Sequence, residues 1–224
     1  MTDSTALLTA LQHGDSFFPG GGFAASWGLE TLFTDTYVHD AETLLHFVQG
    51  QLHHRWACCD RPALVWTHHA AGELEKIAVV DAELEALSLA RELRVVSQRA
   101  GRALLRVHDR LKTPRAADYL ERVKTGQAWS HLPVVQGLVW RGVGLDAEQA
   151  SLLSGHLQSV AFVSAAIRLG FVSHIQAQLI VQRIRPTLTA LLAAPLPESL
   201  SSFTPVADIA MMQHETQATR LFAN

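Results

Sequence analysis

Apolar residues recur along this chain at helical spacing. Leu44, Val48 and Leu52 fall at steps of four, and Leu84, Leu87 and the pair Leu104-Leu105 continue the pattern further on. No long stretch alternates apolar and polar residues with a period of two, as a half-buried strand requires. Several helix starts are marked: Asp40 ahead of Ala-Glu-Thr, Thr113 with Pro114 at the first helical position, and Ser173 with Gln176 three residues on. Gly126 and Gly170 stand where helices stop. The pattern predicts an all-α fold, a single compact helical domain of about nine or ten helices with a flexible C-terminal tail.

Two segments break the helical pattern. In residues 13–22, Pro19 and the run Gly20-Gly21-Gly22 forbid a helix. In residues 195–205, three prolines and three serines read as a linker. The chain therefore divides into a helical domain (1–194), a linker (195–205) and a C-terminal partner-binding tail (206–224). A segment that short cannot nucleate a helix cheaply. It is expected to stay mobile until a partner covers it, so that its removal leaves the unfolding of the body nearly unchanged. As a helix it would line up Ile209, Met212, Thr216 and Arg220 on one side, with Met211, Leu221 and Phe222 extending the apolar surface. Asp208 and Arg220 would then fix its orientation through charge-assisted hydrogen bonds.

Composition narrows the class. At 224 residues, 48% hydrophobic and 17% charged, the chain can bury one full core. A net charge of −3 argues against nucleic acid as the main partner, although 15 of the 18 basic residues are Arg, which suits fixed interface pairing. The start, Met1-Thr-Asp-Ser-Thr-Ala, has no positive n-region, and the apolar window from Val160 to Ile175 is interrupted by Arg168 and His174. A cytoplasmic protein with no membrane span is expected. Cys58 and Cys59 are adjacent and cannot meet ordinary disulfide geometry, so they read as reduced small hydrophobes or, more sharply, as a soft metal pair.

Fragments of catalytic motifs stay incomplete. His214-Glu215 opens like the His-Glu-x-x-His zinc motif, but Ala218 stands where the second imidazole must be. Gly20-Gly21-Gly22 is followed by Phe23-Ala24-Ala25 rather than Lys-Ser or Lys-Thr, and no strand precedes it. Among twelve histidines, His46, His53 and His54 would share a helix side, with His68-His69 as a second pair, yet no carboxylate or Cys completes a ligand set. Arg99, Arg102, Arg106 and Arg110 follow steps of three, four and four along one helical face, open to an acidic partner or RNA, or simply paired to acids such as Asp109 or Glu121. No catalytic, cofactor-binding or metal-binding residue is assigned.

Several short elements occur in a telling order: Phe18-Pro19 through Gly21-Gly22-Phe23, Ser26 and Gly28-Leu29-Glu30; Ser97-x-Arg99-x-Gly101; His131-Leu-Pro133 through Gly137; Gln176 or Gln178; and Pro205, Asp208, His214-Glu215 and Arg220-Leu221-Phe222. In this order and spacing the chain resembles the UreF family of urease accessory proteins across nearly its whole length. The resemblance implies an all-α, non-catalytic protein that needs no cofactor and forms a homodimer. It also implies that the protein joins UreD (UreH in some systems), recruits the nickel-carrying GTPase UreG, and helps deliver nickel to apo-urease. Partner-binding residues implied by the match are Pro19, Gly21, Gly22, Phe23, Glu30, Arg99, Pro205, Asp208, His214, Glu215, Arg220, Leu221 and Phe222. Two readings from other classes stand beside it, a His-rich metal-binding hydrolase and an Arg-face RNA-binding protein. Stoichiometric metal with turnover would mark the first, steeply salt-dependent RNA binding the second.

Overall fold

A computed structural model describes residues 4–20, 25–70, 72–217 and 221–222. Among these the chain is 73% helical with no strands, in ten helices when unbroken rods are counted once. In chain order they are α1 (Ser4–Gly14), α2 (Leu29–Thr34), α3 (Ala41–Gln51), a π-helical stretch (Leu52–Asp60), α4 (Arg61–His69), α5 (Leu74–Leu87) and α6 (Arg91–Arg110). Then follow α7 (Ala116–Lys124), α8 (Leu132–Gly142), α9 (Ala147–Leu169), α10 (His174–Ala193) and α11 (Pro205–His214).

The start signals work locally. Asp40 and Ser173 each close a capping box, accepting from the backbone N–H of Thr43 and Gln176, and Asp146 with Gln149 makes a third that the sequence reading passed over. Gly170 takes the left-handed conformation that ends α9, at φ 84°. Thr113-Pro114 behaves differently: α7 begins only at Ala116, after Arg115 at φ 67°. The Thr113 hydroxyl is instead held 2.8 Å from Nδ1 of buried His108.

Two long rods organise the interior. One apolar cluster gathers α4, α5, α6, α7, α8 and the first half of α9, with Leu64, Leu105, Tyr119 and Leu138 fully or almost fully buried. A second gathers α2, α3, α10 and the second half of α9 around Trp56 and Phe162. Both α9 and the α3–π–α4 rod pass through the two clusters, so neither cluster forms without the other. α9 is long and apolar enough to cross a membrane, but most of it is buried among the other helices.

The π-helical stretch was not foreseen. Its wider turn brings residues five apart into register, which lets Arg55 donate to Asp60 at 3.1 Å inside the protein. Burial pushes the Asp60 carboxyl up against the opposing pull of Arg55. The altered phase leaves His53 and His54 exposed with Cys59 turned inward, and His46 sits apart beside Glu42. Among the described residues no group of three His, Cys, Asp or Glu side chains is arranged to hold a metal ion.

Helix crossings depend on missing side chains. A Cβ on Gly101 would lie 1.9 Å from the Ser130 carbonyl oxygen, so α6 approaches the start of α8 only because that position has none. Gly101→Ala is therefore expected to destabilise the protein by about 1 to 3 kcal/mol or more through forced backbone shifts. Gly50→Ala, in α3 with open space around it, should instead stabilise by about 0.5 to 1 kcal/mol. Urea unfolding of the two variants checks the opposite signs.

Candidate functional site: the closed chain ends

The N- and C-terminal signature elements meet in three dimensions. Trp27 and Gly28 take left-handed conformations, φ 53° and 83°, and turn the chain into α2. A Cβ on Gly28 would be 3.0 Å from the Ala207 carbonyl oxygen, so this turn lies directly against α11. α11 starts with Pro205 in its first turn and buries Ala207, Ala210, Met211 and His214 against α2 and α6.

His214 is fully buried between two carboxylates. Its Nε2 lies 3.0 Å from Glu30 Oε2 in α2, and its Nδ1 lies 3.0 Å from both Glu92 oxygens in α6. The Glu30 carboxylate also accepts from the backbone N–H groups of Leu221, at 2.6 Å, and Phe222, at 3.2 Å. Glu215 accepts from the Glu92 backbone N–H at 3.2 Å, and Gln217 donates to Thr31. Phe222 is only 3% exposed, with the Arg168 guanidinium 4.2 Å from its ring centroid.

Residues 205–217 and 221–222 lie packed against the helical body. Ser201 and Phe203 donate backbone hydrogen bonds to the Cys58 and His54 carbonyls of the π-helical stretch, each at 3.0 Å. Buried apolar contact and the carboxylate–imidazole bridge do the rest. α11 nevertheless keeps one apolar side outward, because Val206, Ile209 and Met212 are exposed, with Phe203 and Leu221 also in solvent. Asp208 accepts from the Thr204 hydroxyl at 3.3 Å, and burial raises its carboxyl. Arg220 lies outside the described residues, as do Gly21, Gly22 and Phe23.

The middle signatures join one another. Ser97 Oγ accepts from the Leu132 N–H at 3.0 Å, beside the close approach of Gly101 to Ser130. The residue that organises this crossing is Asp81, absent from the sequence reading. Its buried carboxylate accepts from the N–H groups of Trp129, Ser130 and His131 at 2.8, 2.6 and 2.9 Å and from the Tyr119 hydroxyl at 2.7 Å. Burial, then the Asp81 charge, holds the Tyr119 hydroxyl far above the usual phenol range. His131 Nε2 lies 2.9 Å from Glu85. Arg99, between Ser97 and Gly101, points into solvent.

The loop after α1 is pinned by rings. Phe18 packs on His13 at 4.5 Å, and His13 stacks on His108 at 5.2 Å, leaving Pro19 exposed. Burial and then the neighbouring His13 push His108 down to about 4. His13 and Trp140 face an interior cavity of about 110 Å³, also walled by Arg55, Asp60, Gln136 and Ser154. Among the described residues His13 Nε2 and Trp140 Nε1 have no hydrogen-bond partner, so the wall is polar enough and the space large enough for ordered water. Burial drives the Cys59 thiol up to about 12, which makes it a core residue rather than a nucleophile.

These features define an all-α protein whose signature residues clamp its own chain ends together beneath an exposed apolar face. Comparison with known proteins gives the chain a family. The UreF family model matches residues 38–185. The urease accessory protein UreF of Trichodesmium erythraeum (strain IMS101) is 35% identical over 100% of this chain and 99% of its own length. UreF 1 of Brucella melitensis biotype 1 is 32% identical over 97% of this chain and 92% of its own, and UreF of Yersinia pestis (strain Pestoides F) is 28% identical over 99% and 100%. The chain belongs to the UreF family.

Removing the imidazole leaves two buried carboxylates facing each other without a cation. His214→Ala is accordingly expected to lower the unfolding free energy by about 3 to 5 kcal/mol, read by urea titration. Truncation at Pro205 should likewise destabilise the body, the reverse of the sequence-based expectation. Acid sensitivity follows from His108. Its folded pKa, about 4, lies below the ordinary histidine value of 6.5, so the unfolded chain takes up the extra proton first as pH falls. Stability should be full above pH 6.5 and decline toward pH 4, by up to about 3 kcal/mol, in proportion to the shift. A His108→Asn variant should lose that part of the slope.

Proposed function

We propose that this protein acts in urease maturation as a non-catalytic scaffold and regulator. In this reading it works in the cytoplasm as a homodimer, binds UreD, and brings in the GTPase UreG, which carries the nickel destined for apo-urease. Support comes from relatives that match nearly the whole chain and are named urease accessory proteins. The observation that carries the reading is the outer side of α11, where Val206, Ile209 and Met212 stay exposed on a helix that the Glu30–His214–Glu92 bridge holds in place.

The physical logic is preorganisation. A helix that is already formed presents its apolar side chains without incurring the ordering cost a disordered tail would meet on binding. Each such side chain can then contribute roughly 1.5 to 3 kcal/mol when a partner buries it. Regulation of the GTPase requires contacts that differ between its two states.

Ile209→Asp combined with Met212→Asp changes only the outer side of α11. We expect this variant to unfold at the same urea concentration as the parent, yet to lose co-purification with UreD and urease activation in cells. A variant that still forms the complex and activates urease fully would overturn the reading.

A further inference from the structure

The outer face of α6 is a stripe of unpaired arginine. Arg91, Arg99, Arg102, Arg106 and Arg110 are all exposed, at spacings that keep them on one side of the helix for about 28 Å. Arg99, Arg106 and Arg110 make no hydrogen bond or ion pair among the described residues. Other arginines are matched, among them Arg94 with Glu85, Arg115 with Asp118 and Arg183 with Glu42. Like charges three and four residues apart weaken a helix, so the stripe is a local cost that packing within this chain does not recover. The sequence offered Asp109 and Glu121 as neutralising partners. Glu121 is engaged by Lys124, and neither pairs with the stripe.

A second feature sits at the same place. Trp129 is 47% exposed. The next residue, Ser130, donates from its hydroxyl to the Gln98 carbonyl at 3.2 Å, the same carbonyl that accepts from Arg102 Nε at 3.4 Å. An exposed indole thus stands beside the middle of the stripe, and Trp and Arg are the side chains that most often dominate binding at protein interfaces.

We propose that this face, centred on Arg102 and Trp129, docks an acidic surface of another protein. Guanidinium groups select carboxylates through paired hydrogen bonds, which a row of arginines matches better than lysines would. A second copy of this chain is a poorer match, because four of its exposed acids, Glu42, Glu75, Asp118 and Glu121, are already held by its own basic residues. RNA is disfavoured by the net charge of −3 and by a single aromatic where single strands are held by several stacking rings. The inference rests on the reading of this chain as one subunit of a urease-maturation assembly, and adds a docking face distinct from α11.

The test titrates the full-length protein separately with purified UreD, UreG and apo-urease, at about 50 and about 300 mM NaCl. Arg102→Glu with Arg106→Glu is the main variant. Trp129→Ala is the second, and keeps the test valid if charge reversal disturbs the fold. One of the three proteins is expected to bind the parent and to lose affinity by about tenfold or more with either variant, and with added salt for the parent. Parent and variants that bind all three alike, within about twofold, would overturn the docking face alone. A parent that binds none would sink the proposed function and this inference with it. Binding to a labelled RNA that charge reversal abolishes, with protein binding unchanged, would also overturn it in favour of nucleic acid.

Discussion

Two buried glutamates from different helices share one imidazole, and the architecture of the chain ends follows from that contact. Glu30 comes from α2 and Glu92 from α6, and both are withdrawn from water. His214 supplies the group that fits between them, from a helix more than a hundred residues away in sequence. Because Glu30 also receives the N–H groups of Leu221 and Phe222, the same carboxylate fixes the chain beyond α11. Removing the His214 imidazole takes the shared partner from both buried glutamates at once.

The interior is built to the same interlocking plan. The α3–π–α4 rod and α9 each run through both apolar clusters, and the π-helical stretch lies where the rod passes from one to the other. Its wider turn makes room for the Arg55–Asp60 pair, and its carbonyls receive the backbone of residues 201 and 203. What looks in sequence like a spacer is therefore an ordered strip that carries the chain across the body to α11.

Local signals were legible and distant ones were not. Helix content, the capping boxes at Asp40 and Ser173, and the stop at Gly170 depend on residues three or four apart, and sequence spacing reports them directly. The signature elements were also legible as a set, but their work was not. Ser97, Gly101 and His131 hold one crossing, organised by an Asp81 that belongs to no recognisable motif, since a carboxylate reveals itself as a hub only when three backbone N–H groups fold around it. The contacts of α11 with the body were not legible, because its proline- and serine-rich approach has the composition of a linker. Periodicity grouped Met211 and Phe222 with Ile209 and Met212, whereas the structure turns the first pair inward and leaves the second outside. The π-helical stretch has no sequence signature at all, and it broke the expected clustering of His46, His53 and His54.

For association, this means that the protein offers a finished surface rather than a disordered tail. Rigidity under α11 comes from buried charge and apolar contact, while its outer residues stay free for a partner. Amide hydrogen exchange of the isolated full-length protein tests that claim most directly. The account predicts that the amides of residues 209–214 in α11 exchange as slowly as those of the α9 core, because opening them requires breaking the Glu30–His214–Glu92 bridge. Exchange of the α11 amides at the rate of an unstructured peptide, with the α9 core protected, would contradict it.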